Sequence, residues 1–254
     1  SDGPLDKSLW QQYGPANLGY PIPLNAIGLK DESLNYRPAY DLKTNKTKED
    51  HQALQTFIYD INHWDDQTFE ANIETRFDVD RFLRYLAVGV FLGNPDDYRA
   101  MGNNYYLYRQ STTGIWMIFP YDYDHGLGQG WDGAPVFTNW TIGADIYTWG
   151  NLNASQLGEP DYPHVLVDRL LAIPKYQLNY ETYLHTLIEE NIFSYDAFGA
   201  LYHQQLNLYE ASTVDALHPV SFGLRNIEWY LNEKTADVLA QLAYYQSNPS
   251  ERGL

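Results

Sequence analysis

The sequence predicts an α+β fold that is mostly helical and contains one central β-hairpin. Apolar residues recur at helical spacing along both halves of the chain. Between these halves, two aromatic-rich runs flank the turn sequence STTG at 111–114, a pattern typical of two antiparallel strands. The chain has 254 residues, of which 44% are hydrophobic and 19% charged, so it can bury a sizeable core.

The first half begins with an irregular segment. Residues 1–38 are rich in Pro, Gly and Asn and predict an extended arm, and Tyr40–Lys46 predicts a short strand with a turn. Apolar residues at i, i+3, i+4 and i+7 predict a helix over 48–63. The same reasoning predicts a helix over 78–92, with Asp78 as its N-cap and its end at Gly93–Pro95.

The hairpin is predicted from strands at 104–110 and 115–124. Within the second strand, Asp122 and Asp124 alternate with tyrosines, which places both carboxylates on one side. Residues 126–160 are rich in Gly, Asn and Trp and predict a long ordered loop region. Further helices are predicted at 165–173, 180–188, 198–208 and 227–245, the last with Leu231, Val238, Leu239 and Leu242 facing inward.

Charge and composition exclude several classes of function. The net charge of −17 disfavours nucleic acid as a partner, and it is compatible with binding divalent cations or with solubility alone. There is no cysteine, which excludes thiolate nucleophiles and Cys-ligated zinc. The sequence contains no run of about 18 apolar residues, the length that would predict a membrane span. The chain begins with SDGPLDK, which indicates a processed form or an excised fragment.

Acidic residues and carboxamides flank the hairpin at the end where its two strands are open. Asp96 and Asp97, with Asn103 and Asn104, precede the hairpin, and Asp122 and Asp124 lie at its end. Because antiparallel partners are adjacent, these groups are expected to converge. An oxygen-rich cluster suits Mg²⁺ or Mn²⁺, and secondarily Ca²⁺, as phosphoryl transfer requires. Paired carboxylates also suit a glycoside hydrolase, which remains an alternative.

Several segments resemble the spore coat protein H (CotH) kinase family. The central resemblance lies in DVDRFLRYLAVGVFLGNPDDY, NNYYLY and GIWMIFPYDYDHGLG. YDLKTNK resembles the family's Tyr-Glu-Leu-Lys-Thr-Asn segment, and YLNEKTADVLAQL resembles its C-terminal helix. The resemblance therefore extends from about residue 38 to residue 243.

The resemblance implies an atypical protein-kinase-like fold that binds ATP with Mg²⁺ or Mn²⁺ and phosphorylates Ser or Thr of a coat or other secreted protein. By position in the motif, Asp96 matches the catalytic aspartate, which would orient the acceptor hydroxyl. Asp122 and Asn104 match the metal ligands, with Asp124 as a second carboxylate ligand. Lys43 is the best remaining lysine in a family motif for contacting the nucleotide.

The sequence also departs from the family pattern. Pro95 replaces an aromatic residue, and the loop from Asp96 to Asn104 is longer by the residues RAM. The family's small lobe is largely missing, so residues 1–37 are expected to be an arm or a remnant of that lobe, and 38–254 the kinase-like domain. A non-catalytic surface or coat protein is therefore a further alternative. Secretion, or a place on the cell surface or spore coat, is implied by the resemblance alone.

Overall fold

A computed structural model describes residues 16–20, 27–31, 33, 38–48, 51–123, 125–127, 141–149, 164–206, 208 and 227–253. These residues confirm an α+β architecture of helices with small sheets. The chain divides into two compact units. The first contains residues 1–79, 96–122 and 150–173, and the second contains residues 80–95, 123–149 and 174–254.

In the part of the chain that the structure describes, the first unit has helices around an apolar core. They are α1 (Gln52–His63), α2 (Asp66–Asn72), α4 (Tyr98–Met101) and α5 (Val165–Leu171). A 3₁₀ turn, Ile73–Thr75, follows α2. The predicted helix at 48–63 is confirmed with a later start, whereas α2 and α4 were not predicted. The core contains Phe57, Ile58, Ile61, Phe69, Ile73, Phe77, Ile118, Leu166 and Leu170.

Arg169 joins three helices of this unit. Its guanidinium donates to the Ile61 carbonyl at 2.8 Å and to the Asp66 carboxylate at 2.9 Å, and lies 4.1 Å from the Phe69 ring centroid. A planar cation with several donors can make all three contacts at once. The side chain on α5 thereby holds the end of α1 against the start of α2.

The central hairpin is confirmed, and its second strand is shorter than predicted. Strands β3 (Tyr105–Arg109) and β4 (Trp116–Pro120) pair antiparallel, with Tyr105 opposite Pro120 and Arg109 opposite Trp116. The prediction that the strand continues to residue 124 is wrong. It ends at Pro120, and Asp122 has φ of +57°, which a β-strand does not accommodate.

A short parallel sheet and residues 16–18 also belong to this unit. Strand β1 (Ile27–Gly28) pairs parallel with β2 (Tyr40–Asp41), which confirms a strand at Tyr40. The amide of Ala16 donates to the Gly102 carbonyl at 3.2 Å, and the Tyr105 hydroxyl donates to the Ala16 carbonyl. This part of the predicted arm therefore lies against the segment that follows α4.

The second unit is built from longer helices. It contains nearly all of α3 (Val79–Leu92), together with α6 (Pro174–Glu189), α7 (Tyr195–Leu206) and α8 (Ile227–Ser247). A 3₁₀ turn, Pro249–Glu251, follows α8. These bounds confirm the helices predicted from apolar spacing. Helix α8 packs against α6 and α7, and buried aromatic rings fill the space between elements, including Phe91 and Phe193 stacked at 5.0 Å.

Gly93 ends α3 at a very close contact with α8. Its φ is +61°, and a Cβ built there would lie 1.9 Å from the Tyr230 hydroxyl oxygen and 2.8 Å from the Thr141 hydroxyl oxygen. Only glycine has both the required backbone freedom and the required absence of a side chain. The helix therefore stops at Gly93, as predicted.

The inward face of α8 differs from the predicted one. Leu231, Val238 and Leu242 are buried as predicted, whereas Leu239 is 44% exposed. Lys234 is fully buried, and its ammonium donates to the carbonyls of Thr141 and Ile142 at 2.8 and 2.9 Å. A buried ammonium is stable only when its hydrogens have acceptors, and these two loop carbonyls supply them.

Candidate functional site

The candidate site lies in the first unit, where the chain enters β3 and leaves β4. Asp96 is 9% exposed and follows Gly93, Asn94 and Pro95 in the turn after α3. A buried carboxylate must be satisfied by hydrogen-bond donors or by an opposite charge. Its donors therefore show how the sequence holds it.

Asp96 is held by both asparagines that precede β3. The Asn103 side-chain amide donates to Oδ1 at 2.9 Å, and the Asn104 amide donates to Oδ2 at 2.8 Å. Asn104 also donates to the Asp96 carbonyl at 2.9 Å. The two asparagine amides thus give the carboxylate one fixed orientation.

Asp97 has a structural role. It is the N-cap of α4, and its Oδ1 accepts from the Ala100 amide at 2.9 Å. Its carbonyl accepts from the amides of Met101 and Asn103. Helix α4 contains the residues RAM that lengthen the family's loop, and Asp97 closes that insertion into one helical turn. Asp97 therefore stabilises the local backbone of this loop.

Burial makes Asp97 an unusual acid. It is 3% exposed, and burial raises its pKa to about 6, although the Ala100 amide and the Arg99 guanidinium both favour the charged form. Arg99 is itself 2% exposed. A buried cation, Arg99, and two buried carboxylates therefore lie within residues 96–99, and one of these carboxylates is the candidate catalytic aspartate.

Asp122 lies beside Asn104 because the ladder continues beyond the two strands. The Tyr121 amide donates to the Asn104 carbonyl at 3.0 Å, one step past the Tyr105–Pro120 pair. Asn104 and Asp122 both have left-handed backbones, with φ of +47° and +57°. Asn and Asp adopt this conformation more readily than other residues with side chains. The structure thus brings Asp96, Asn103 and Asn104 into direct contact and places the Asp122 backbone next to them.

These residue types fit a hard divalent cation. The amide nitrogen of Asn104 donates to Asp96, so the amide oxygen is the atom of this side chain that could bind a metal. Asp122 offers carboxylate oxygens, and Mg²⁺ prefers oxygen ligands of both kinds. Asp124 lies outside the described residues. Among those that are described, no group of three or more His, Cys, Asp or Glu side chains is placed to hold a metal. The fit therefore depends on carboxylate and carboxamide oxygens together.

In the structure, Lys43 pairs with Asp41. It follows β2, its side chain is 53% exposed, and its ammonium is 2.8 Å from the Asp41 carboxylate. An exposed ion pair of this kind contributes little to stability and is easily exchanged. A role for Lys43 in nucleotide binding remains a prediction.

Sequence reasoning undervalued two residues of this site. Asn103 was interpreted as a turn residue, yet it donates directly to Asp96. Arg99 was interpreted only as part of an insertion, yet it is buried beside Asp97. The helix that places both residues has four positions, which is too short to show an apolar period.

The sequence of this chain is similar to known proteins. The family model described as CotH kinase protein matches residues 26–208. The inner spore coat protein H of Bacillus subtilis (strain 168) is 39% identical over 90 residues, which cover 35% of this chain and 24% of that protein. The match thus spans about a quarter of the relative's length. Among the described helices, none combines the length and apolarity needed to cross a membrane.

Proposed function

Because the chain belongs to the CotH kinase protein family, we propose that it is an atypical protein kinase with a kinase-like fold. It transfers the γ-phosphoryl group of ATP to a Ser or Thr hydroxyl of a partner protein, with Mg²⁺ or Mn²⁺. The partner is a coat or surface protein, and the kinase is located there too. The name of the Bacillus subtilis relative, an inner spore coat protein, supports this location.

One observation carries the proposal. Both oxygens of the Asp96 carboxylate accept from asparagines, and the second of these, Asn104, pairs through its backbone with the strand end that leads to Asp122. Phosphoryl transfer needs an aspartate that orients the acceptor next to oxygen ligands for a metal, and the three residues supply these groups. An ordinary N-cap aspartate, such as Asp97, has no such partners.

In the proposed reaction, the acceptor hydroxyl donates a hydrogen bond to an oxygen of the Asp96 carboxylate. The hydroxyl oxygen forms a bond to the γ-phosphorus while the bond from that phosphorus to the bridging oxygen of ADP breaks. The hydroxyl proton passes to the Asp96 carboxylate, and the electron pair of the broken bond stays on ADP. A metal held by Asp122 and Asn104 would neutralise charge on the phosphates.

The first test is thermal unfolding with ATP, alone and with Mg²⁺ or Mn²⁺. At a ligand concentration of about one hundred times Kd, we expect a metal-dependent rise in Tm of roughly 5–10 °C. Asp122→Asn should lose the metal-dependent part of this rise. Glu233→Gln, which removes one negative charge from an exposed position on α8, should retain it.

The second test measures transfer from ATP labelled in the γ-phosphate to a Ser/Thr peptide library. Asp96→Asn keeps the size of the side chain but cannot accept the proton, so we expect transfer to fall by about a hundredfold or more while nucleotide binding persists. Binding of ATP without transfer in the unaltered chain would favour the non-catalytic alternative. The absence of both metal-dependent binding and transfer would refute the proposal.

A further inference from the structure

Away from the candidate site, the first unit has a cleft at the end of the hairpin that carries the turn. Its cavity, of about 280 Å³, opens to solvent and is lined by Gln52, Ala53, Thr56, Phe57, Arg76, Arg109, Gly114 and Trp116. The lining contains two guanidinium groups and no carboxylate. In a chain with 16 Lys and Arg against 33 Asp and Glu, such a local excess of positive charge is unusual.

Backbone pairing places the two arginines on either side of Trp116. Arg109 is opposite Trp116 in the β3–β4 ladder. On the other edge of β4, the Trp116 amide donates to the Arg76 carbonyl at 2.8 Å, and the Trp116 carbonyl accepts from the Asp78 amide at 2.9 Å. Two strand spacings separate the arginine backbones by about 10 Å, so both long side chains can reach one anion.

The two guanidinium groups are available to different degrees. Arg76 has a long contact of 3.6 Å with the Asp60 carboxylate, and its side chain is 51% exposed. Among the described residues, no carboxylate forms an ion pair with Arg109. The Arg109 guanidinium lies against the turn: a Cβ built on Gly114 would be 3.1 Å from Arg109 Nη2. Arg109 therefore provides the stronger unused charge.

We propose that this cleft binds the phosphate of an already phosphorylated Ser or Thr in the acceptor protein. The phosphate is doubly charged and matches the forked donors of two arginines, while Thr56 and Gln52 offer further polar groups. The stacked rings of Phe57 and Trp116, 5.7 Å apart, form a rigid apolar wall. The overall negative charge of the chain repels anions in general, so binding of a phosphate in this cleft depends on the local charge of the two arginines.

The distance to the candidate catalytic site argues for the acceptor as the occupant. Five residues separate Asn104 from Arg109 along β3, which at about 3.3 Å per residue is about 17 Å. An extended peptide of about five residues covers the same distance. The inference rests on the proposed function: one transfer creates the phosphate that docks in the cleft, and the next acceptor hydroxyl then lies near Asp96.

Binding of synthetic peptides tests this inference without requiring turnover. The probe is a fluorescent, otherwise uncharged peptide with a phosphoserine five residues from a serine, and its matched control has serine at both positions. By fluorescence anisotropy with the full chain, we expect the phosphopeptide to bind at least about tenfold more tightly than its control. Arg109→Gln should remove most of that difference. Arg84→Gln, which removes one exposed arginine of the second unit, should leave it unchanged.

Four results would overturn the inference. They are equal binding of the two peptides, equal effects of Arg109→Gln and Arg84→Gln, displacement of the phosphopeptide by inorganic phosphate at equal concentration, and displacement by ATP, which would assign the cleft to nucleotide. Circular dichroism of each variant establishes that it is folded. Arg109→Lys, which keeps the charge and loses the fork, should give intermediate binding.

A transfer assay with the same two peptides separates this inference from the proposed function. Selective phosphopeptide binding without transfer to either peptide would refute the kinase activity and retain the phosphate cleft. Equal transfer to both peptides, with equal binding, would retain the kinase and refute the cleft.

Discussion

Replacing Gly93 by alanine should destabilise the second unit far more than its small size suggests. The new Cβ would have to enter a space 1.9 Å from the Tyr230 hydroxyl oxygen, and the residue would keep a φ of +61°. The left-handed backbone costs an alanine about 1–2 kcal/mol, and overpacking of a rigid core costs about 1–3 kcal/mol. The expected loss in the free energy of unfolding is therefore about 2–5 kcal/mol.

Two further variants separate these costs. Gly253 also has a positive φ, of +73°, but nothing lies within 4 Å of the position that a Cβ would take there, so Gly253→Ala carries the backbone cost alone. Adding Tyr230→Phe to Gly93→Ala removes the closest atom and should restore part of the loss. Urea unfolding followed by circular dichroism measures all of them. If Gly93→Ala and Gly253→Ala lose the same free energy, the close contact with Tyr230 is not rigid and the reasoning is wrong.

Three other predictions follow from the buried polar residues. In the folded chain, burial raises the pKa of Asp97 to about 6. The free energy of unfolding should therefore fall by about 3 kcal/mol as the pH rises from about 4 to about 6, because the folded state holds the proton more tightly than the unfolded state. Asp97→Asn keeps the N-cap and removes that loss, so the variant should be more stable than the unaltered chain at pH 7 but not at pH 4. Urea unfolding at both pH values measures this, and a difference in stability that does not depend on pH would contradict it. Lys234→Met leaves two buried carbonyls without their donor and should cost about 2–4 kcal/mol, whereas Glu233→Gln on the same helix should cost almost nothing in the same assay. Asn103→Ala removes one donor from Asp96 and should lower the transfer rate by about tenfold with little change in the KM for ATP, and Asn103→Gln should not restore it. An unchanged rate would show that the carboxylate is oriented without Asn103.

Regular periodicity explains which parts of the fold were predictable. Helix α3 and the hairpin show apolar spacing that matches their secondary structure, and both were predicted with nearly correct bounds. The end of β4 was missed because the alternation of Tyr and Asp after Pro120 continues the pattern of a strand, while the backbone at Asp122 turns left-handed. An alternating sequence does not reveal where a ladder loses its partner.

The candidate site was predictable in its residue types and less so in its contacts. Asp96, Asn104 and Asp122 were selected from their positions around the hairpin, and the structure brings the first two into contact. Asn103 was placed near the hairpin, but its contact with Asp96 was not predicted because an asparagine before a strand is common in turns for local reasons. Elsewhere in the fold, the burial of Lys234 was missed because a lysine on a helix is expected to face water, and the carbonyls that accept from its ammonium lie on a distant segment of the chain.

The β3–β4 ladder has a consequence for how the chain tolerates changes in length. The ladder of five residue pairs lies between the asparagines that hold Asp96 at one end and Arg109 with Trp116 at the other. Arg76 is joined to the same end through the backbone of Trp116. A residue inserted into either strand would reverse the orientation of every side chain beyond it and displace the residues at one end from those at the other. The four-residue turn at 111–114 lies outside the ladder, so a change in its length does not alter the pairing of the strands at the open end of the hairpin. Length variation among homologues is therefore expected in that turn and in the loop containing α4, and not within the strands.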